Sequence, residues 1–121
     1  FDSLNNFAFL SARTGKNLPE AAEAIETALR MAGSRPDLQD TRAMVLIAQD
    51  RLAEARDLLE DMTAQHVNAT ALFRLAECYH RQQQSALASA ALKLAVDKGL
   101  VATQLHPLDR AVLEELQAIA P

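Results

Sequence analysis

A small residue recurs along this chain of 121 residues at Ala8, Ala43 and Ala76, and a second set stands at Ala21, Ala55 and Ala88. The spacings are 35, 33, 34 and 33 residues, a mean close to 34. A period of that length marks units that cannot bury an apolar face alone, so neighbours must stack and at least about three are needed for stability. The stretch DTRAMVLIAQDRLAEARDLLEDM, Asp40 to Met62, displays one such unit: two helical patterns joined by a tight turn at Asp50.

Helices are the expected elements. Ala, Leu, Glu, Gln and Arg dominate, only 4% of residues are aromatic, and runs of Val, Ile, Thr and Tyr are absent. In chain order, the pattern predicts a first helix over Asp2 to Thr14 stopped by Gly15. A second opens at Pro19 and carries Ala21, Ile25, Ala28, Leu29 and Ala32 up to Gly33. A third starts at Pro36, with Ser34 and Asp37 spaced as a capping pair. The Asp40–Met62 stretch holds the third and fourth. Asn68 is placed to cap a fifth, lined by Leu72, Leu75, Ala76 and Tyr79; a turn without glycine, Gln82 to Ser85, leads to a sixth that Gly99 stops. Pro107 opens a last helix with Leu108, Val112, Leu116 and Ile119 on one face.

The third pair, Leu72-x2-Leu75-Ala76-x2-Tyr79 followed by Ala88-x3-Leu92 and Ala95, resembles the tetratricopeptide repeat. The first unit keeps Leu4, Phe7, Ala8, Gly15, Ala21, Ile25 and Ala28, with one extra residue in its turn. The second keeps Ala43, Leu46, Leu52, Ala55 and Leu59, with Gln39 and Arg42 where large apolar residues are usual. The resemblance implies an all-α, right-handed superhelix of three helix-turn-helix units, about residues 2–34, 36–67 and 69–99, and a C-terminal capping helix over about 107–120, in one domain. Alanine at the crossings has a mechanical role, since two helices approach to the short end of the usual 8–10 Å only where side chains are small. LNNFAFLSARTGKNLPEA is similar to bacterial repeats of this style, and Phe1 in place of an initiator Met leads us to expect a piece of a longer or processed protein.

Other function classes leave little trace. A net charge of -4, from 12 Lys+Arg against 16 Asp+Glu, lacks the dense basic stripe of a nucleic-acid groove. No apolar run approaches the roughly 20 residues of a membrane span. His66, His80 and His106 are scattered, without a His-Glu-x-x-His spacing, so no metal or other cofactor is expected. Cys78, the sole cysteine, lies about 200° around a helix from His80 and reads as a small buried thiol rather than a nucleophile. Gly15, Gly33 and Gly99 are isolated helix stops, not a phosphate loop. Asn68-Ala-Thr70 fits a glycosylation acceptor, and an Asn helix cap explains it equally well. No enzyme constellation is present.

The resemblance directs attention to the first helix of each unit, because in tetratricopeptide arrays those helices line a concave groove for an extended or helical partner segment. By helical phase the groove positions are Asn5, Asn6, Phe9 and Arg13; Asp40, Thr41, Met44 and Ile47; and Phe73, Arg74, Glu77, His80 and Arg81. Phe9, Met44, Ile47 and Phe73 are expected to form an apolar floor, with Arg74 and Arg81, seven apart on one stripe, expected to be exposed and to hold a carboxylate. Asn6 and Arg74 match the two-carboxylate clamp of chaperone-binding members, whose lysines do not appear. The expected role is a non-catalytic protein-interaction module; the alternative is a stacking or self-associating segment of a larger envelope or secretion assembly.

Overall fold

A computed structural model describes residues 1–119. They form seven α-helices and one 3₁₀ turn: α1 (Asp2–Thr14), α2 (Leu18–Ala32), α3 (Pro36–Ala48), α4 (Leu52–Gln65), α5 (Ala69–Arg81), α6 (Ser85–Asp97), the 3₁₀ turn Ala102–Gln104 and α7 (Pro107–Ile119). The fold is all-α. Residue 120, assigned to the last helix by the sequence pattern, lies outside the described residues. Among the described residues no helix is long and apolar enough to cross a membrane.

The first helix of every pair stops by the same device. Gly15, Asp50 and Gln83, each seven residues after the small residue of its helix, take left-handed backbone with φ of 72°, 62° and 62°. The next amide then reaches back five residues: Lys16 N–H to the Ser11 carbonyl at 3.2 Å, Arg51 to Leu46 at 2.9 Å and Gln84 to Tyr79 at 2.9 Å. This is a Schellman closure, which satisfies carbonyls the helix end would otherwise leave open. Gly99 ends α6 the same way, through Leu100 N–H to Ala95 at 2.9 Å. In the first turn the extra residue is taken up after the stop, where Asn17 is also left-handed at φ 55°.

Helix starts obey the sequence signals with one exception. The Asn68 side chain accepts from the Ala71 N–H at 2.8 Å, capping α5, so that amide already has a local structural role. Ser34 and Asp37 do not form the expected capping pair: the N-cap of α3 is Arg35, which supplies no side-chain acceptor. Asp37 is instead gripped by both arms of the Arg35 guanidinium, at 3.1 and 2.8 Å, a stronger partner than a hydroxyl two residues before the helix.

The chain divides into two compact units, Phe1–Ala55 and Arg56–Pro121, the division falling within α4. In the first unit α1 packs on α2, and α3 lies against both. Ala8, Ala21, Ile25, Ala28, Leu38 and Val45 make its buried cluster, flanked by Leu4 and Leu29. In the second unit α5 packs on α6, and α7 lies against both. Ala76, Ala88, Leu92 and Ala95 are buried there, with Phe73 fully enclosed. All six alanines that carry the period, Ala8, Ala21, Ala43, Ala55, Ala76 and Ala88, are at most 1% exposed.

The outward faces of the second helices differ. At matching positions α2 carries Glu20, Glu23 and Thr27, and α4 carries Glu54, Asp57 and Asp61, whereas α6 carries Leu87, Ala90 and Leu94. Leu87 and Leu94 are 42% and 49% exposed.

Candidate binding surface

Helical phase assigns each residue of the expected groove to a face of its helix. In the first unit, Asn6 is exposed and Asn5, Phe9, Arg13 and Asp40 are half-buried. Asn6, Phe9 and Arg13 succeed one another at three- and four-residue spacing, so they form one accessible stripe along α1. Arg42 on α3 reaches Glu26 on α2 at 2.7 Å, an exposed pair of little energetic weight.

Met44 and Ile47 are not an open floor. Both are 2% exposed, and Thr41 is buried with its hydroxyl donating to the Asp37 carbonyl at 3.2 Å. The reason lies in the sequence of α3, where Ala43 to Ile47 are five consecutive buried residues. A helix apolar all round is enclosed rather than half-solvated. Met44 and Ile47 therefore belong to the core.

In the second unit burial extends further. Helix α5 buries nine successive residues, Ala71 to Tyr79, including Phe73, Arg74 and Glu77. Arg74 is not exposed to a partner: its Nη2 meets Asp109 Oδ2 of α7 at 2.9 Å, with the two side chains 3% and 4% exposed. The guanidinium also lies 5.2 Å from the Phe73 ring centre. Toward the other end of the seam His80 Nε2 contacts Glu115 Oε1 at 2.9 Å. Of the predicted α5 residues, only Arg81 is exposed and His80 half-buried.

The partners Asp109 and Glu115 were absent from the sequence-derived site, yet a signal for them exists. Each stands 35 residues after the α5 residue it contacts. That is also the step from Ala8 to Ala43.

A second polar cluster joins α4 and α5 within this unit. The Tyr79 hydroxyl donates to Glu60 Oε2 at 2.6 Å, and Arg56 Nε donates to the same oxygen at 3.2 Å with its guanidinium 5.5 Å from the Tyr79 ring centre. Burial, then the hydrogen bond to Glu60, pushes the Tyr79 phenol up to about 12. Burial, reinforced by Glu77, pushes the Cys78 thiol up to about 11. At neutral pH the thiol is protonated and fully enclosed, the opposite of a nucleophile's setting.

His106 Nδ1 accepts from the Leu108 N–H at 3.1 Å and so helps start α7. Among the described residues no group of three or more His, Cys, Asp or Glu side chains is placed to hold a metal ion. A pocket between α2 and α3 near Gln49 measures about 140 Å³, and another beside α7 near Arg110 about 180 Å³. Both fall short of the roughly 300–1,000 Å³ of ordinary small-molecule sites. The accessible stripe of α1 is made of an amide, an aromatic ring and a guanidinium, at Asn6, Phe9 and Arg13. Comparison with protein-family models, with curated protein sequences and with solved structures finds no match to this chain.

Proposed function

We propose that this chain is a non-catalytic protein-interaction module of the tetratricopeptide kind, taking an extended or helical segment of a partner protein on the faces of its first helices. In the first unit the contact residues are Asn5, Asn6, Phe9 and Arg13 of α1, with Asp40 of α3. The observation that carries the reading is the accessible Asn6–Phe9–Arg13 stripe on a helix whose opposite side, at Ala8 and Ser11, is buried. Amides and an arginine beside an aromatic ring suit a peptide backbone and a carboxylate. The test is selection of a displayed random-peptide library on the chain. A consensus retained by the native chain and lost by Phe9→Ala/Arg13→Glu supports the site; an unchanged consensus overturns it.

A second reading, self-association, has its own observation. Leu10 is 47% exposed, while Val45 and Cys78, which occupy the matching positions of α3 and α5, are 2% and 0% exposed. Phe7, one turn away, is 40% exposed. A copy of the chain stacked on this face of α1 would cover both. Concentration-dependent sedimentation that disappears in Leu10→Glu would favour this reading over the first.

A further inference from the structure

Helix α7 lies on α5 and α6 in the second unit as α3 lies on α1 and α2 in the first. In α3, Leu38 and Val45 join the buried cluster of α1 and α2. The buried side chains of α7 are Asp109, Leu113 and Leu116, one carboxylate and two apolar residues.

We propose that the α5–α6 face is a binding seat for an acidic amphipathic helix of a partner protein, and that α7 is its internal occupant. The occupant spells out what the seat recognises: a carboxylate for Arg74, two leucines four and seven residues later, and a second carboxylate six residues after the first for His80. The basis is charge complementarity between Arg74 of α5 and Asp109 of α7, joined by the His80–Glu115 contact between the same two helices, which is an ion pair when the histidine is protonated. A narrow apolar hold makes α7 an element of low local stability, the kind from which exchangeable segments are drawn. A buried ion pair sets its register more than it adds net stability.

The connection supports exchange as well. Arg110 donates to the Ala102 and Thr103 carbonyls at 3.2 and 3.0 Å, so the 3₁₀ turn travels with α7. The hinge then falls near Gly99, left-handed at φ 101°, in an exposed stretch. Release of α7 would turn it from cap to competitor.

The seat deepens the interaction-module reading and rests on it, while its test uses residues the α1 stripe does not contain. The probe is a fluorescein-labelled synthetic peptide of residues 105–119, added to the full native chain and to full chains carrying Asp109→Asn or Glu115→Gln. Weakening the internal occupant removes its competition, so Asp109→Asn is expected to bind the peptide at least about tenfold more tightly than the native chain, and Glu115→Gln by a smaller factor. The same peptide carrying D109N should lose that gain. Equal binding by all three chains, or none, with helicity retained, makes α7 a permanent cap and overturns the proposal. If Asp109→Asn loses helicity, Glu115→Gln alone decides. A chain that fails this test but still selects peptides through Phe9 and Arg13 loses only the seat; peptide binding unchanged by Phe9→Ala/Arg13→Glu shows the two sites to be separate.

Discussion

Arg74 and Asp109 meet at 2.9 Å with both side chains almost wholly excluded from solvent, one on α5 and one on α7. Deleting one partner of such a pair leaves the other charge buried without its counter-ion, which costs about 3–5 kcal/mol, while replacing both by apolar residues of similar size is often neutral or stabilising. Asp109→Ala should therefore destabilise the second unit by about that amount, and Arg74→Met/Asp109→Leu should recover most of it. Urea unfolding of the three chains measures both; a double variant no better than the single one would mean the pair itself stabilises.

The buried alanines set a second expectation. Ala55 is fully buried in α4, and Ala64, in the same helix, is exposed. Overpacking costs about 1–3 kcal/mol, so Ala55→Leu should lower stability by that much and Ala64→Leu by less than about 0.5 kcal/mol. Thermal melts that move equally would show that Ala55 is not confined.

Gln83 holds a left-handed backbone that a side chain enters reluctantly. Glycine removes the strain but gains freedom in the unfolded chain, so Gln83→Gly should stabilise by a net of about 0.5–1 kcal/mol. Gly15→Ala, at φ 72° in the matching turn, should destabilise by about 1 kcal/mol. Denaturant midpoints that moved in the reverse directions would contradict the turn geometry.

Alkaline pH should loosen the second unit in a defined window. Cys78 and Tyr79 hold their protons more tightly when folded, at about 11 and about 12 against ordinary values of 9.0 and 10.0. Between those limits the folded chain binds more protons than the unfolded one, so stability falls as pH rises. The thiol's contribution is complete below pH 9 and lost as pH passes 11; that of the phenol is complete below pH 10 and lost as pH passes 12. Stability measured from pH 8 to 12 should decline, and Cys78→Ala/Tyr79→Phe should flatten the decline. An identical slope in the variant would assign it to other groups.

Much of the architecture was legible in the sequence because its causes are local or periodic. The helix stops at Gly15 and Gly99, the Asn68 cap and the six buried alanines all stem from a residue type at a phase. The burial of the expected groove residues was not legible in the same way. Helical phase assigns Met44, Ile47, Phe73, Arg74 and Glu77 to one side of their helices, but it cannot say what covers that side. For Arg74 the cover is α7, and the 35-residue step to Asp109 was available to be read. Arg74 looked exposed only because arginine usually is; the cost of burying it is met by a carboxylate distant in sequence. Arg35 displaced Ser34 at the start of α3 for a related reason: a bidentate ion pair outcompetes a hydroxyl cap.

The left-handed stop stands seven residues after the small residue in α1, α3 and α5, and only the connection beyond the stop varies in length. The turn is thus a ruler with one sliding joint. Residues added beyond the stop, as Asn17 shows, leave the first helix and its crossing in place, whereas residues added before it would rotate every downstream side chain by about 100° each. For anyone grafting a tag or a recognition loop into this chain, the permissive sites are the gaps just before Leu18, Leu52 and Ser85.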